Sequence, residues 1–236
     1  MQIGILGGTG NMGKGLALRW SRKHKVLLGS RSLDRAKSVA EEYDRIARGF
    51  YGEKSQGTIA GDLNQSIIRI SDALVISVPP QHSVQVAQQM KSSLRTDHVV
   101  ISTIAPMERD GRLFRYKPYV SEGQTALISA AESIAREIAP VPVVSAFQTV
   151  PASYLADLDS ILNIDVLISG DDERALRVTS DLVRDIQNLR PLRVGPLSNS
   201  QLVESITPLL LNAAILNNLR DPSIRIVPWL PSNFGQ

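Results

Sequence analysis

The sequence predicts an α/β protein with a doubly wound parallel sheet and a small C-terminal α/β extension. Three observations carry this expectation. The strand-like run Gln2–Leu6 passes directly into a glycine-rich turn and a helical pattern. Strand and helix signals then alternate along most of the 236 residues. Several strand runs, such as Ala73-Leu-Val-Ile-Ser-Val, are apolar almost throughout, as strands buried on both faces of a sheet must be.

The first element sets the frame. Gly8-Thr9-Gly10-Asn11-Met12-Gly13 follows the opening strand and precedes a helix carrying Leu16, Leu18 and Trp20. Strand, glycine turn and helix are the setting in which G-x-G-x-x-G binds a dinucleotide. Gly8 is expected to permit the tight turn, Gly10 to let the backbone approach a pyrophosphate, and Gly13 to let the helix pack closely on the strand. The free N–H groups of the first helical turn would face the anion. The sheet is then of the Rossmann type.

The second strand, from Lys25, ends in Gly29-Ser30-Arg31 with no carboxylate at its tip. An NAD site usually carries an Asp or Glu there to accept from the ribose 2′-hydroxyl. A guanidinium and a hydroxyl suit a 2′-phosphate instead, and Arg35 falls four residues after Arg31 on the same side of the helix start. NADP is the cofactor this pattern selects. Asp34 is expected inside the first helical turn, where it favours the dipole.

Further elements follow in the same rhythm. A helix is expected over Ser32–Arg48, a strand at Thr58–Ala60 and a helix from about Asp62. The strand from Ala73 ends at Pro79-Pro80; a helix over Gln81–Leu94 and a strand at His98–Thr103 come next. A helix over Ala126–Ile138 and a strand at Pro142–Ala146 close this part. Ligands of such sheets lie outside the carboxyl ends of the strands, so 78–80, 103–106 and 147–152 are the loops of interest.

The chain is expected to divide into a dinucleotide-binding unit, 1–157, and a smaller unit, 158–236, packed on the sheet edge. The latter would comprise a strand at Asp165–Ser169, a helix at Asp172–Leu189, a strand at Pro191–Val194 and a mostly buried helix at Asn199–Leu219. The longest irregular segment, 103–123, carries Arg109, Arg112, Arg115 and Lys117, either as a solvated basic loop or as a contact for an anionic ligand.

Composition narrows the function. There are no cysteines, which excludes disulfides, thiolate metal sites and thiol catalysis. No signal-peptide pattern and no apolar stretch long enough to span a bilayer is found, so a cytoplasmic protein is expected. The net charge of +3 suits anionic ligands, but with 5% aromatic residues and no basic–aromatic interleaving, nucleic acid is not the expected partner. Asp171-Asp172-Glu173 follows Gly170 at a helix start and reads as cap and dipole partner rather than metal site.

Acid–base machinery is scarce. Of the three histidines, His24 and His98 read as structural or surface residues. His82, beyond Pro79-Pro80, either orients a ligand or caps the next helix. No Tyr-x-x-x-Lys pair and no nucleophile triad is found. An alcohol dehydrogenase needs such a group to move the hydroxyl proton. Its absence points to a partner that is itself a redox cofactor exchanging hydride directly.

On these residues the chain resembles the NADPH-dependent reductases of the deazaflavin coenzyme F420. The resemblance runs almost end to end. It rests on Leu6–Arg19, Gly29-Ser-Arg31, Ala40-Glu-Glu-Tyr43, Val143-Val-Ser-Ala146, Thr149-Val-Pro-Ala152, Gly170-Asp-Asp172, Leu189-Arg-Pro-Leu192 and above all Gly195–Pro208. In that last stretch Ser198 and Gln201 form an expected capping box. The resemblance implies direct hydride transfer between deazaflavin C5 and nicotinamide C4. It implies pyrophosphate contacts from Thr9, Gly10, Asn11 and Met12, and 2′-phosphate contacts from Ser30, Arg31 and Arg35. Val78, Pro79, His82, Ala105 and Ala152 would line the nicotinamide and deazaflavin side. The family commonly has His where this chain has Gln148, and Trp-Glu where it has Pro80-Gln81. An NADPH reductase of a flavin, ferric chelate or quinone, and a non-catalytic NADP sensor, are the alternative readings. The leucine-rich final helix suggests a homodimer.

Overall fold

The computed structural model describes residues 1–120 and 127–227. The first half comprises β1 (Gln2–Leu6), α1 (Asn11–Trp20), β2 (Lys25–Ser30), α2 (Leu33–Tyr51), β3 (Thr58–Leu63), α3 (Asn64–Ile70), β4 (Ala73–Ile76), α4 (Ser83–Met90) and β5 (Val99–Ser102). Two short ribbons follow, β6 (Met107–Asp110) with β7 (Leu113–Tyr116), and β8 (Tyr119–Val120) with β9 (Leu127–Ile128). The chain continues through α5 (Ala130–Ile138), β10 (Val143–Ser145), α6 (Ala152–Ala156), β11 (Ile164–Gly170), α7 (Glu173–Arg184), β12 (Leu189–Arg193) and α8 (Ser200–Asn217).

Eight strands form one sheet in the order β12-β11-β10-β5-β4-β1-β2-β3. β1 pairs in parallel with β2 on one side and β4 on the other, so the winding reverses between β1 and β4 and opens a crevice there. The final strand pair extends this sheet: β11 is antiparallel to β10 and β12 parallel to β11. Period-two alternation splits the core into two layers. Ile3, Ile5, Ala73, Val75 and Ile101 face α1, α2 and α7, whereas Leu6, Leu74, Ile76 and Val100 face α3, α4 and α5.

Two side chains of α1 tie the halves together. The buried Arg19 donates to the carbonyls of Leu155 (3.1 Å), Tyr154 (3.0 Å), Asp157 (2.5 Å) and Ser160 (3.1 Å). Trp20 donates its indole N–H to the Leu182 carbonyl at 2.8 Å and meets the Phe147 ring edge-on at 5.7 Å. Gly15 lets α6 lie against α1, since a β-carbon there would come within 2.4 Å of Leu155 Cβ.

Several expectations are corrected. The segment 103–123 is not irregular: its first part is the β6–β7 hairpin, turned at Gly111 with φ 62°, while residues 121–123 lie outside the described ones. The helix expected from Ala126 begins at Ala130; Leu127–Ile128 pairs with β8, and Ala126 itself lies outside the described residues. α7 ends at Arg184 rather than 189, because Asn188 turns left-handed (φ 66°) to enter β12. α8 ends at Asn217 and is not mostly buried: Leu202, Leu209 and Leu216 are exposed, because the helix covers the hairpin and the sheet end with one side only. No capping box opens it; a 3-10 turn at Leu197–Asn199 intervenes, and Asn199 spends its amide on the Val194 carbonyl at 2.6 Å. Ser129 and Glu132 form a capping box at α5 instead.

Candidate functional site

The loops after β1, β4, β5 and β10 converge at one end of the sheet. The tight turn falls on Gly7, not Gly8: its φ is +84°, and a β-carbon would sit 2.4 Å from the Ser77 carbonyl oxygen. Gly8 is packed under Leu28, and Gly13 lies where a β-carbon would come within 2.5 Å of Gly8 Cα. Those two glycines hold α1 against the β1 loop. α1 has no acidic residue in its first turn and no side-chain cap, so its leading N–H groups face the crevice unblocked.

Three openings run along this edge and share walls. The first, about 340 Å³, is lined by Gly10, Ser30, Arg31, Arg35, Asn64 and His82, among others. The second, about 290 Å³, shares Gly10, Ser77, Val78 and Pro79 with it and adds Thr103, Ile104 and Ala105. The third, about 600 Å³, shares Asn11 and Met12 with the second and is walled by Gln148, Ala152 and the α8 residues Thr207, Leu210 and Leu211. Together they make one cleft from the tip of β2 to α8.

The sequence-selected residues distribute along it. Thr9, Gly10, Ser30, Arg31 and Arg35 line the first opening; Ser32 caps α2, accepting from the Arg35 N–H at 3.4 Å. Val78 and Pro79 lie at the junction, Ala105 in the second opening and Ala152 in the third. His82 does not cap α4 through its ring; it ends a 3-10 turn on the cleft wall. His98 is buried and accepts from the Arg95 N–H at 2.9 Å, away from this cleft, and His24 pairs with Asp185 at 2.8 Å. Asp172 caps α7 through the Ala175 N–H at 2.7 Å, as its place before the helix suggests, whereas Asp171 accepts from the distant Leu197 N–H at 3.0 Å instead of capping α7.

Gln148 is held rigidly. It follows Phe147, a buried aromatic residue at φ 74°, where a non-glycine backbone is strained. Its amide nitrogen donates to the Ser102 carbonyl (2.9 Å) and Ser145 Oγ (2.8 Å), and Thr207 Oγ1 donates to its main-chain carbonyl at 2.9 Å. Because a carbonyl demands a donor, the amide orientation is fixed, and Oε1 is left without a protein partner. Sequence reasoning missed Asn64, whose Oδ1 is likewise buried and unpartnered at the rim of the first opening. Its signal was an amide directly after β3, at the carboxyl edge. The α8 wall residues were also missed, hidden in what reads as a core helix.

The chain matches the model of the family described as NADP oxidoreductase, coenzyme F420-dependent, over residues 2–106. It is 32% identical to the F420-dependent NADP reductase of Methanocaldococcus jannaschii over 96% of this chain and 98% of that protein. It is 33% identical to the enzyme of the same name from Methanothermobacter marburgensis, again over 96% of this chain and 98% of that one. A crystal structure from Arthrobacter sp. FB24, described as a candidate F420-dependent NADP reductase, superposes with a TM-score of 0.75 at 18% identity, covering 96% of this chain and 99% of that one.

Proposed function

The chain belongs to the F420-dependent NADP reductase family, and from that premise we propose how its cleft divides between two cofactors. It is an NADP-dependent oxidoreductase acting between NADP(H) and coenzyme F420. The observation that carries the division is the shared walls of the three openings, which join them into one continuous cleft from the tip of β2 to α8.

In this reading Ser30, Arg31 and Arg35 hold the 2′-phosphate, the planar guanidinium being suited to phosphate oxygens. Thr9, Gly10, Asn11 and Met12 hold the pyrophosphate at the uncapped start of α1. Val78, Pro79, His82 and Ala105 flank the nicotinamide. Gln148 and Ala152, on the wall of the third opening, face the deazaflavin. The residues present fit the dinucleotide: Gly10 places no side chain over the uncapped start of α1, and the first opening is lined by Arg31 and Arg35 with no carboxylate. When bound, the cofactors supply the chemistry, exchange of hydride between nicotinamide C4 and deazaflavin C5. The chain supplies position, and apolar walls that keep water from between the rings. Reduction of the deazaflavin also takes up one proton, which would come from solvent at the cleft mouth, and no side chain is assigned that transfer.

Residues 158–236 then act as the unit that completes the second-cofactor half, through α8. The exposed leucines of that helix support a homodimer, and the two small soluble cofactors support a cytoplasmic setting. Among the described residues no helix is long and apolar enough to cross a membrane. Mixing the protein with NADPH and oxidised F420 tests the assignment. Bleaching of the deazaflavin absorbance with one NADPH oxidised per F420 is expected. No bleaching at saturating cofactors, or transfer only to a flavin, ferric chelate or quinone, would overturn it.

A further inference from the structure

Beyond α8 the chain runs back along the cleft. Leu219, Arg220, Asp221 and Pro222 line the third opening together with the α8 residues Leu210 and Leu211. Asn218 ends the helix left-handed at φ 53°, and Asp221 turns left-handed again at φ 48°. Asn and Asp enter this region more readily than other residues that carry a side chain. The two reversals take the chain off the helix and on to the sheet.

This segment is fastened in two places. The Ser223 hydroxyl donates at 2.7 Å to the main-chain carbonyl of Thr149, itself a residue of the third opening. Residues 224–226 then meet the start of β11, an edge left open because β10 pairs with that strand only at Ser169 and Gly170. The Asp165 N–H donates to the Ile224 carbonyl at 2.9 Å, and the Ile226 N–H donates to the Asp165 carboxylate at 2.7 Å. That carboxylate is fully buried. Arg190, its opposite number on β12, donates to both of its oxygens at 2.7 and 2.6 Å and to the Ile226 carbonyl at 3.1 Å. A buried charge satisfied by a forked guanidinium is held in one geometry, so whatever else it binds is held too. Asp165 is absent from the walls of all three openings.

We propose that residues 218–226 are a strap that fixes one wall of the third opening, and that Asp165 is a positioning residue for the second cofactor, acting through that strap. The assignment rests on the division of the cleft given above. Asp165→Asn keeps the volume of the side chain and removes the charge that holds Arg190 and Ile226. The strap is then seated for part of the time only, and the apparent Kd rises by the inverse of the seated fraction.

Two measurements without turnover test it: fluorescence titration of oxidised F420 into the protein holding NADP⁺, and hydrogen exchange read by mass spectrometry. Asp165→Asn is expected to raise the F420 Kd roughly tenfold and to leave the NADP⁺ Kd unchanged. Exchange in peptides covering 219–226 should be faster in this variant. Saturating F420 should slow it again, whereas NADP⁺ alone should not. Ser223→Ala removes the other fastening and disturbs no buried charge. It should move both readings the same way, by about threefold in the F420 Kd, and it decides the matter if the Asp165 variant does not fold. An unchanged F420 Kd in the folded variants, or an equal loss of NADP⁺ and F420 affinity, would overturn the strap assignment while leaving the cleft reading intact. If the wild type binds NADP⁺ but not F420, the cleft reading fails and this assignment with it.

Discussion

The Glu204 carboxylate accepts the Tyr116 hydroxyl at 3.1 Å while also receiving the N–H groups of Ala130 (2.9 Å) and Ala131 (3.1 Å). One fully buried side chain of α8 therefore joins the hairpin to the N-terminus of α5. Burial pushes its ionisation up from 4.5 to about 7; the two backbone bonds and Tyr116 oppose this, and the nearby Glu132 adds to it. The seating of α8, which walls the third opening, thus hangs on a group that titrates near neutrality.

The sign of its effect on stability follows. Between pH 4.5 and about 7 the folded protein keeps a proton that the unfolded chain has released. The contribution is fully present below the lower value and is lost as pH rises through the upper one. It amounts to on the order of 3 kcal/mol. Urea unfolding at pH 5 and pH 8 should show this loss in the wild type and a flatter dependence in Glu204→Gln. Equal pH dependence in the two proteins would rule out Glu204 as its source.

Arg31 is expected to read the 2′-phosphate. Arg31→Ala should raise the Kd for NADPH by roughly 10- to 100-fold, the worth of a charge-assisted contact, and leave NADH binding nearly unchanged. Isothermal titration with both nucleotides decides it. A similar loss for both would mean that Arg31 supports the fold rather than the phosphate.

Arg19 joins α1 to the 154–160 segment by four carbonyl contacts. Arg19→Met keeps the apolar stem and abandons those carbonyls, so a loss of about 3 kcal/mol is expected. Thermal melts followed by circular dichroism measure it. A loss under about 0.5 kcal/mol, the range of ordinary surface changes, would contradict the bridging role.

The parallel core and the loops that meet at the cleft were legible because both are local. Strand, glycine turn and helix lie within Gln2–Trp20, and the apolar runs of β4 and β5 announce burial on both faces. What escaped depends on contacts distant in sequence. The direction of β11 is set by its partner β10, not by its own residues. The hairpin did leave a local sign, Asp110-Gly111 between short runs, which the surrounding charges masked. The apolar surface of α8 looked like core, since its leucines have the composition of a packed helix although several of them are exposed or line the third opening. Arg19 and Glu204 carry no sequence signal for burial; only their partners, 135–141 and 73–88 residues away, define them.

The central claim is that hydride passes directly between two cofactors lying in one cleft. NADPH deuterated at nicotinamide C4, on the face that the enzyme uses, reduces F420 in ordinary water, and the product is read by NMR and mass spectrometry. The account predicts one deuterium at deazaflavin C5, with no washout into solvent. Recovery of protium at C5 with the label in water would contradict it.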